Sequence, residues 1–165
     1  MSIFDRYQAR YESSRQEVLR LDEYLDLCKS DPGAYAGPAE RLLEAIGDPQ
    51  VVDTRNDPRL SRIFQNKMLR RYPAFAEFYG MEEAIEHLVS YLKHAAQGLE
   101  EKKQILYLLG PVGGGKSSLA EKLKELMQVV PFYAIEGSPV FESPLGLFSA
   151  EEDGPILEED YGIPR

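Results

Sequence analysis

The stretch that most constrains this chain is Gln104-Ile-Leu-Tyr-Leu-Leu-Gly-Pro-Val-Gly-Gly-Gly-Lys-Ser-Ser118. Ile105 to Leu109 is a continuous apolar run with one aromatic, the pattern of a strand buried on both faces. It passes directly into Gly110-Pro-Val-Gly-Gly-Gly-Lys-Ser117, which satisfies G-x-x-x-x-G-K-[ST] at every fixed position. Leu119, Ala120, Leu123, Leu126 and Met127 then recur at helical spacing, with Glu121, Lys122, Lys124, Glu125 and Gln128 between them. The expectation is strand, glycine-rich loop and helix, in that order.

Each residue type in that loop has a physical reason to be there. Glycines let the backbone curl so that several N–H groups face one concavity and approach phosphate without a Cβ in the way. The following helix offers its unpaired N-terminal N–H groups and the positive end of its dipole to the same anion. Lys116 can reach β- and γ-phosphates as a point charge, and the Ser117 hydroxyl can ligate Mg²⁺. The competing reading is a glycine-rich turn between strand and helix. The intact motif in its strand–helix setting favours phosphate. The candidate binding residues are therefore Gly110, Pro111, Val112, Gly113, Gly114, Gly115, Lys116, Ser117 and Ser118, with Ser117 as the metal ligand.

Composition narrows the partners. At 165 residues the chain can build one sizeable core, or one domain with a smaller extension. A net charge of −9 argues against general nucleic-acid binding, which needs a basic face. The single cysteine, Cys28, excludes an internal disulfide and falls with Leu21, Tyr24 and Leu25 on one helical face. Met1-Ser-Ile-Phe-Asp-Arg is amphipathic rather than signal-like, and no apolar run nears the ~18 residues of a membrane span. A cytoplasmic protein is expected.

Along the chain, Ile3, Phe4, Tyr7 and Tyr11 share a helical face. Helices are expected from Leu21 to Lys29, stopping at Asp31-Pro-Gly33, and from Pro38 to Ile46 with Gly47 as its cap. Val51-Val52 reads as a short strand or a buried link. Asp57-Pro58 starts a helix that is expected to carry Leu60, Ile63, Phe64 and Met68 inward and Arg59, Arg62, Lys67, Arg70 and Arg71 elsewhere. That basic run suits a solvated face, or a contact with a partner or nucleotide. Tyr72-Pro73 breaks the pattern and is taken as the boundary between an N-terminal helical segment, 1–72, and a nucleotide-binding part, 73–165. Met81 to about Gln97 is the clearest helix, with Met81, Ile85, Leu88, Leu92 and Ala95 as its stripe and Gly98 as its end. His87 and His94 lie on its polar side without a third ligand at metal spacing. Pro131 to Ile135 reads as a second core strand parallel to the first, and Gly137 to Phe148 as a loop. Ser149 to Glu152 forms a capping box for a last helix anchored by Ile156 and Leu157.

Machinery for γ-phosphate transfer is incomplete. A second acid for Mg²⁺ and a residue that orients the nucleophile are both needed. Among strand ends, only Ile135-Glu136 offers an acid, so no catalytic residue is assigned. Two candidate core strands also fall short of the roughly five of a typical sheet. The expected fold is α/β, a truncated P-loop NTPase of AAA+-like, three-layer type behind an N-terminal helical segment, as the front part of a larger protein.

The chain resembles the bacterial PrkA-type serine protein kinases, whose N-terminal half is an AAA+-type ATPase domain. The resemblance rests on Ile3-Phe-Asp5, Ala39-Glu-Arg-Leu-Leu43, Pro58-Arg-Leu-Ser61, Tyr72-Pro-Ala-Phe75 and Phe78-Tyr-Gly-Met-Glu82. It continues through Ser90-Tyr-Leu-Lys-His-Ala-Ala-Gln-Gly98, Gln104 to Ser118 and Tyr161-Gly-Ile-Pro164. It implies ATP with Mg²⁺ as ligand, an adenine wall at Tyr79, Gly80 and Met81, and serine phosphorylation of a protein substrate by the longer protein. A hydrophobic staple and helix start is the other reading of Tyr79 to Met81. Assembly as a homo-oligomer or ring is also implied. Neither H-R-D nor D-F-G occurs here, so kinase motifs have no counterpart in these residues. An AAA+ remodelling or regulatory ATPase is the alternative; a structural module with an unused loop is the third reading.

Overall fold

Helix α1, Leu21–Ser30, forms where the apolar spacing places it and buries Tyr24, Leu25 and Cys28. Glu23 bends back so that its carboxylate accepts the Arg20 N–H at 2.8 Å, a donor no helical carbonyl can reach. The turn that ends it is held by Asp31 Oδ1, which accepts from the Gly33 N–H at 2.8 Å, and by the Tyr24 hydroxyl, which donates to the Ala34 carbonyl at 3.3 Å. Burial pushes the Cys28 thiol pKa up, so it behaves as a small core hydrophobe. The computed structural model describes residues 3–6 and 18–164. Residues 3–6 are helical with Ile3 and Phe4 exposed; Tyr7 and Tyr11, expected on the same face, lie outside the described residues.

The chain divides into two units, Met1–Ala34 with Ala134–Arg165, and Tyr35–Tyr133. In the first, α1 meets the last helix, where Lys29 Nζ lies 4.4 Å from the ring centroid of Tyr161. That last helix, Gly154–Tyr161 (α6 below), begins later than the capping box suggested. Ser149 Oγ accepts the Glu152 N–H at 3.3 Å as expected, but Asp153 is the acid that reaches back, accepting from the Ser149 N–H at 2.8 Å. Ile156 is exposed and Ile163 is buried in its place. Gly137 to Phe148 is a loop, as expected, closed by Ile135 N–H donating to the Glu142 carbonyl at 2.9 Å.

The second unit is built in chain order from α2 (Pro38–Ile46), β1 (Gln50–Asp53), α3 (Pro58–Phe64), β2 (Met68–Arg71), α4 (Glu82–Ala96) and α5 (Lys116–Met127). Its core joins Leu42 and Ile46 of α2, Ile85, Leu88, Val89 and Leu92 of α4, and Leu119 and Leu126 of α5, with Tyr72 and Phe75. The expected boundary at Tyr72-Pro73 thus falls inside this unit. Gly47 caps α2 at φ +72, its N–H donating to the Leu43 carbonyl at 3.0 Å. Asp57 caps α3 by accepting the Arg59 N–H at 2.8 Å.

Beyond Phe64 the chain departs from the helix expected there. Gln65 and Asn66 are both left-handed, at φ 53 and 61, and reverse the chain into β2. Strands β1 and β2 pair antiparallel, with Val52 opposite Leu69 and Val51 opposite Arg70. Met68 and Ile63 are exposed rather than inward, and Leu69 is buried instead. Two basic residues of this run find acidic partners within the unit. Lys67 pairs with Glu83 at 3.0 Å and Arg70 with Glu86 at 3.1 Å, which ties β2 to the first turns of α4. His94, in the last turn of α4, pairs Nδ1 with Glu101 at 3.0 Å in an exposed contact.

Thr54 sits at the end of the β-ribbon with no exposed surface. Its N–H and its hydroxyl both donate to the Lys67 carbonyl, at 3.1 and 2.7 Å. Thr54→Val keeps the shape and removes the hydroxyl donor. It is expected to lower stability by about 1 kcal/mol, read as an earlier denaturant midpoint at unchanged slope. An unchanged midpoint would show that the hydroxyl bond contributes nothing net.

The two expected core strands are corrected by the structure. Ile105 to Leu109 and Pro131 to Ile135 are extended but pair with no strand among the described residues. Ile105, Tyr107 and Leu109 are 91, 77 and 81% exposed, whereas Leu108 packs against the core. A strand is a pairing property, and an apolar run without ladder partners stays an extended segment.

Candidate functional site

The loop from Gly110 to Gly115 delivers the chain into α5, which starts at Lys116 itself. Within it, the Gly114 N–H donates to the Pro111 carbonyl at 3.2 Å, a tight turn that draws the glycines inward. Gly115 then adopts φ +75 as the residue before the helix. A left-handed conformation there is free only to glycine. Space demands glycine too, because a Cβ at this position would lie 2.9 Å from Met81 Sδ. The first turn of α5 leaves N–H groups without helical partners, so its end can take an anion.

Opposite the loop stands the segment that precedes α4. Phe75 is buried and meets Phe78 edge-on at 6.0 Å between centroids, which anchors the segment. Tyr79 is 80% exposed, Gly80 turns the chain at φ +77, and Met81 is the residue before α4. Between the segment and α5 lies a cleft of about 900 Å³. Such a volume lies within the range of small-molecule sites.

Of the residues singled out in the sequence, Tyr79, Met81, Gly113, Gly114, Gly115, Ser117 and Ser118 line this cleft together. Gly110, Pro111, Val112, Gly80 and Lys116 are not in its lining. Val112 is fully exposed at the loop tip. Lys116 turns back on its own loop, its ammonium donating to the Gly110 carbonyl at 2.8 Å and the Pro111 carbonyl at 2.6 Å.

Sequence reasoning missed Glu77, Phe78, Glu121, Lys122 and Glu125, which complete the lining. A signal was available. Ser118, Glu121, Lys122 and Glu125 stand at i, i+3, i+4 and i+7, one face of α5 continuing down from the motif. The helix flank of the cleft thus carries Glu121 and Glu125 with Lys122 between them, while Lys116 is engaged with the carbonyls of its own loop. Next to Met81, Glu82 is buried with its Oε2 free of any hydrogen bond. Its place in the first turn of α4 gives that carboxylate the positive end of a helix dipole.

Comparison with known proteins adds to this geometry. A family model described as "PrkA AAA domain" matches residues 19–165. The chain is 64% identical over its whole length to "Serine/threonine kinase YeaG" of Escherichia coli strain K12 and to its counterpart in strain O157:H7, covering 26% of each. It is 32% identical to "ATP-dependent protease PrkA" of Bacillus subtilis, over 93% of this chain and 25% of that protein. The chain thus spans about a quarter of the length of the curated relatives it matches. No solved structure matches the chain at a significant level.

Proposed function

The chain belongs to the PrkA AAA domain family, and on that premise we propose that it binds ATP with Mg²⁺ at Gly110–Ser118 as the nucleotide-binding portion of a longer serine protein kinase. The observation that carries this reading is the cleft in which the glycine loop, the N-terminus of α5 and the Tyr79–Met81 segment meet. The triphosphate lies against the loop and the helix end, where N–H groups and Lys116 can answer its charge. The apolar faces of Phe78, Tyr79 and Met81 on the facing wall suit the neutral base, while Glu77, Glu121 and Glu125 are held in ion pairs with Lys122 and Lys124. The family is of AAA-domain type and the fold mixes helices with a two-stranded sheet; a complete P-loop NTPase sheet, in which Ile105–Leu109 gains ladder partners only from the longer protein, is part of this proposal. Its support is the row of exposed apolar side chains that such pairing would cover.

Mg²⁺ takes oxygen ligands, and the donors here suit it: the Ser117 hydroxyl lines the cleft beside the helix end. When bound, the ion neutralises charge on the β- and γ-phosphates. Among the described residues no group of three or more His, Cys, Asp or Glu is placed to hold a metal, so this chain's share rests on Ser117. Calorimetric titration with ATP–Mg²⁺ tests the reading. Saturable binding at one site that weakens in Ser117→Ala is expected, and a chain that takes up neither ATP nor inorganic tripolyphosphate ends the proposal.

Phosphoryl transfer to protein serine is proposed for the longer protein alone. A second reading is an AAA+ remodelling or regulatory ATPase whose nucleotide state drives assembly and partner binding; its support is that the 32%-identical relative is named an ATP-dependent protease and not a kinase. The Gly137–Phe148 loop, with Val140 and Phe141 exposed, would then meet the client polypeptide. Incubating the longer protein with γ-labelled ATP separates the two: label on serine supports the kinase, nucleotide-dependent assembly without it the alternative. A cytoplasmic setting without nucleic acid is proposed from the acidic charge; among the described residues no helix is long and apolar enough to cross a membrane.

A further inference from the structure

We propose that Lys122 is a positioning residue of this cleft, an ionic latch from α5 to Glu77 that fixes the distance between the Tyr79–Met81 wall and the phosphate-facing loop. The proposal rests on the nucleotide reading above. Lys122 Nζ lies 3.4 Å from Glu77 Oε1 and 3.1 Å from Glu125 Oε2. Glu125 is on the same helix, but Glu77 belongs to the opposite wall, two residues before Tyr79. The Lys122 side chain is 25% exposed, against 46 to 77% for the lysines of the other ion pairs among the described residues. It is therefore not an ordinary solvated lysine. Hydrogen bonding to Glu125, with Glu77 adding to it, raises its pKa, so the ammonium stays charged throughout the neutral range.

The geometry gives the contact its consequence. The wall from Glu77 to Met81 is short, turns at Gly80 with φ +77, and is rooted at one end by the buried Phe75. Across the cleft Met81 lies beside Gly115, the residue before α5, and Glu77 pairs with Lys122 on the helix itself. Tyr79 lies between these tethers. With both in place the ring is presented at one distance from the loop. With the Glu77 tether gone, the wall keeps its packing through Phe78 and Met81 but loses its ionic bridge across the cleft, and a ligand that touches both walls loses part of its fit. A ligand that touches the loop alone does not.

Paired titrations with ATP–Mg²⁺ and with inorganic tripolyphosphate–Mg²⁺ test this in low-salt buffer. Lys122→Met and Glu77→Gln are each expected to weaken ATP by about two- to fivefold, the scale of a partly exposed ion pair, and to leave tripolyphosphate unchanged. Lys122→Arg, which keeps the reach and the charge, restores ATP binding. Equal losses for both ligands would show a merely structural lysine and overturn the latch, as would no loss for either. Those outcomes leave the nucleotide reading standing, whereas a wild-type chain that binds neither ligand removes both.

Discussion

Lys116→Ala is expected to weaken ATP–Mg²⁺ binding at least about a hundredfold while the chain stays folded. The side chain is the one ammonium carried by the loop, and its bonds to the Gly110 and Pro111 carbonyls show that it reaches across the loop's concavity. Charge-assisted bonds to a triphosphate are worth roughly 1.5–3 kcal/mol each, and alanine removes the donor entirely. The two carbonyls left behind belong to exposed residues and can take water instead. No core contact is lost, so stability should move by no more than about 0.5 kcal/mol. Calorimetry beside thermal melting reads both quantities. Unchanged ATP affinity in a folded variant would contradict nucleotide binding through this loop.

Gly115→Ala should be the most damaging small substitution in the site. A non-glycine residue held at φ +75 is strained by about 1–2 kcal/mol. The added methyl would also press on Met81 Sδ at 2.9 Å, and overpacking of this kind costs about 1–3 kcal/mol. A combined loss of about 2–5 kcal/mol follows, with nucleotide binding reduced more than tenfold as the loop shifts. The two contributions can be separated. Met81→Ala removes the clash but also Met81's packing against the core, so the separation takes a double-mutant cycle: Gly115→Ala should cost less stability in the Met81→Ala background than in the wild type. An equal cost in both backgrounds would mean that Met81 yields freely and the φ angle dominates.

Most of what the sequence made legible was local. Cap chemistry at Gly47 and Gly98, with the stripe Ile85, Leu88, Leu92, placed α2 and α4 nearly to the residue, and Asp57 placed the start of α3 though not its end. The glycine loop and its helix were legible for the same reason, because fixed spacings encode them. Strand identity was not. Ile105 to Leu109 has the composition of a buried strand, yet pairing depends on neighbours that no local pattern contains. Met68 to Arg71 failed in the opposite sense, since its basic residues fit a helical wheel until two left-handed residues broke the register. The acidic and lysine-bearing flank of the cleft was missed because Glu121, Lys122 and Glu125 read as ordinary solvated charge. Only a facing wall gives them a role.

The interleaved division of the chain bears on the order in which it can fold. Tyr35–Tyr133 is continuous, and although its core joins helices from opposite ends of that stretch, it can collapse as soon as its own residues are available. The other unit joins α1 to α6 across all of that intervening chain, and closing so long a loop is entropically slow unless its ends are brought near. During synthesis from the N-terminus, α1 must therefore wait with Tyr24, Leu25 and Cys28 uncovered until residues 134–164 emerge. The middle of this chain can be native while its beginning is still unfinished.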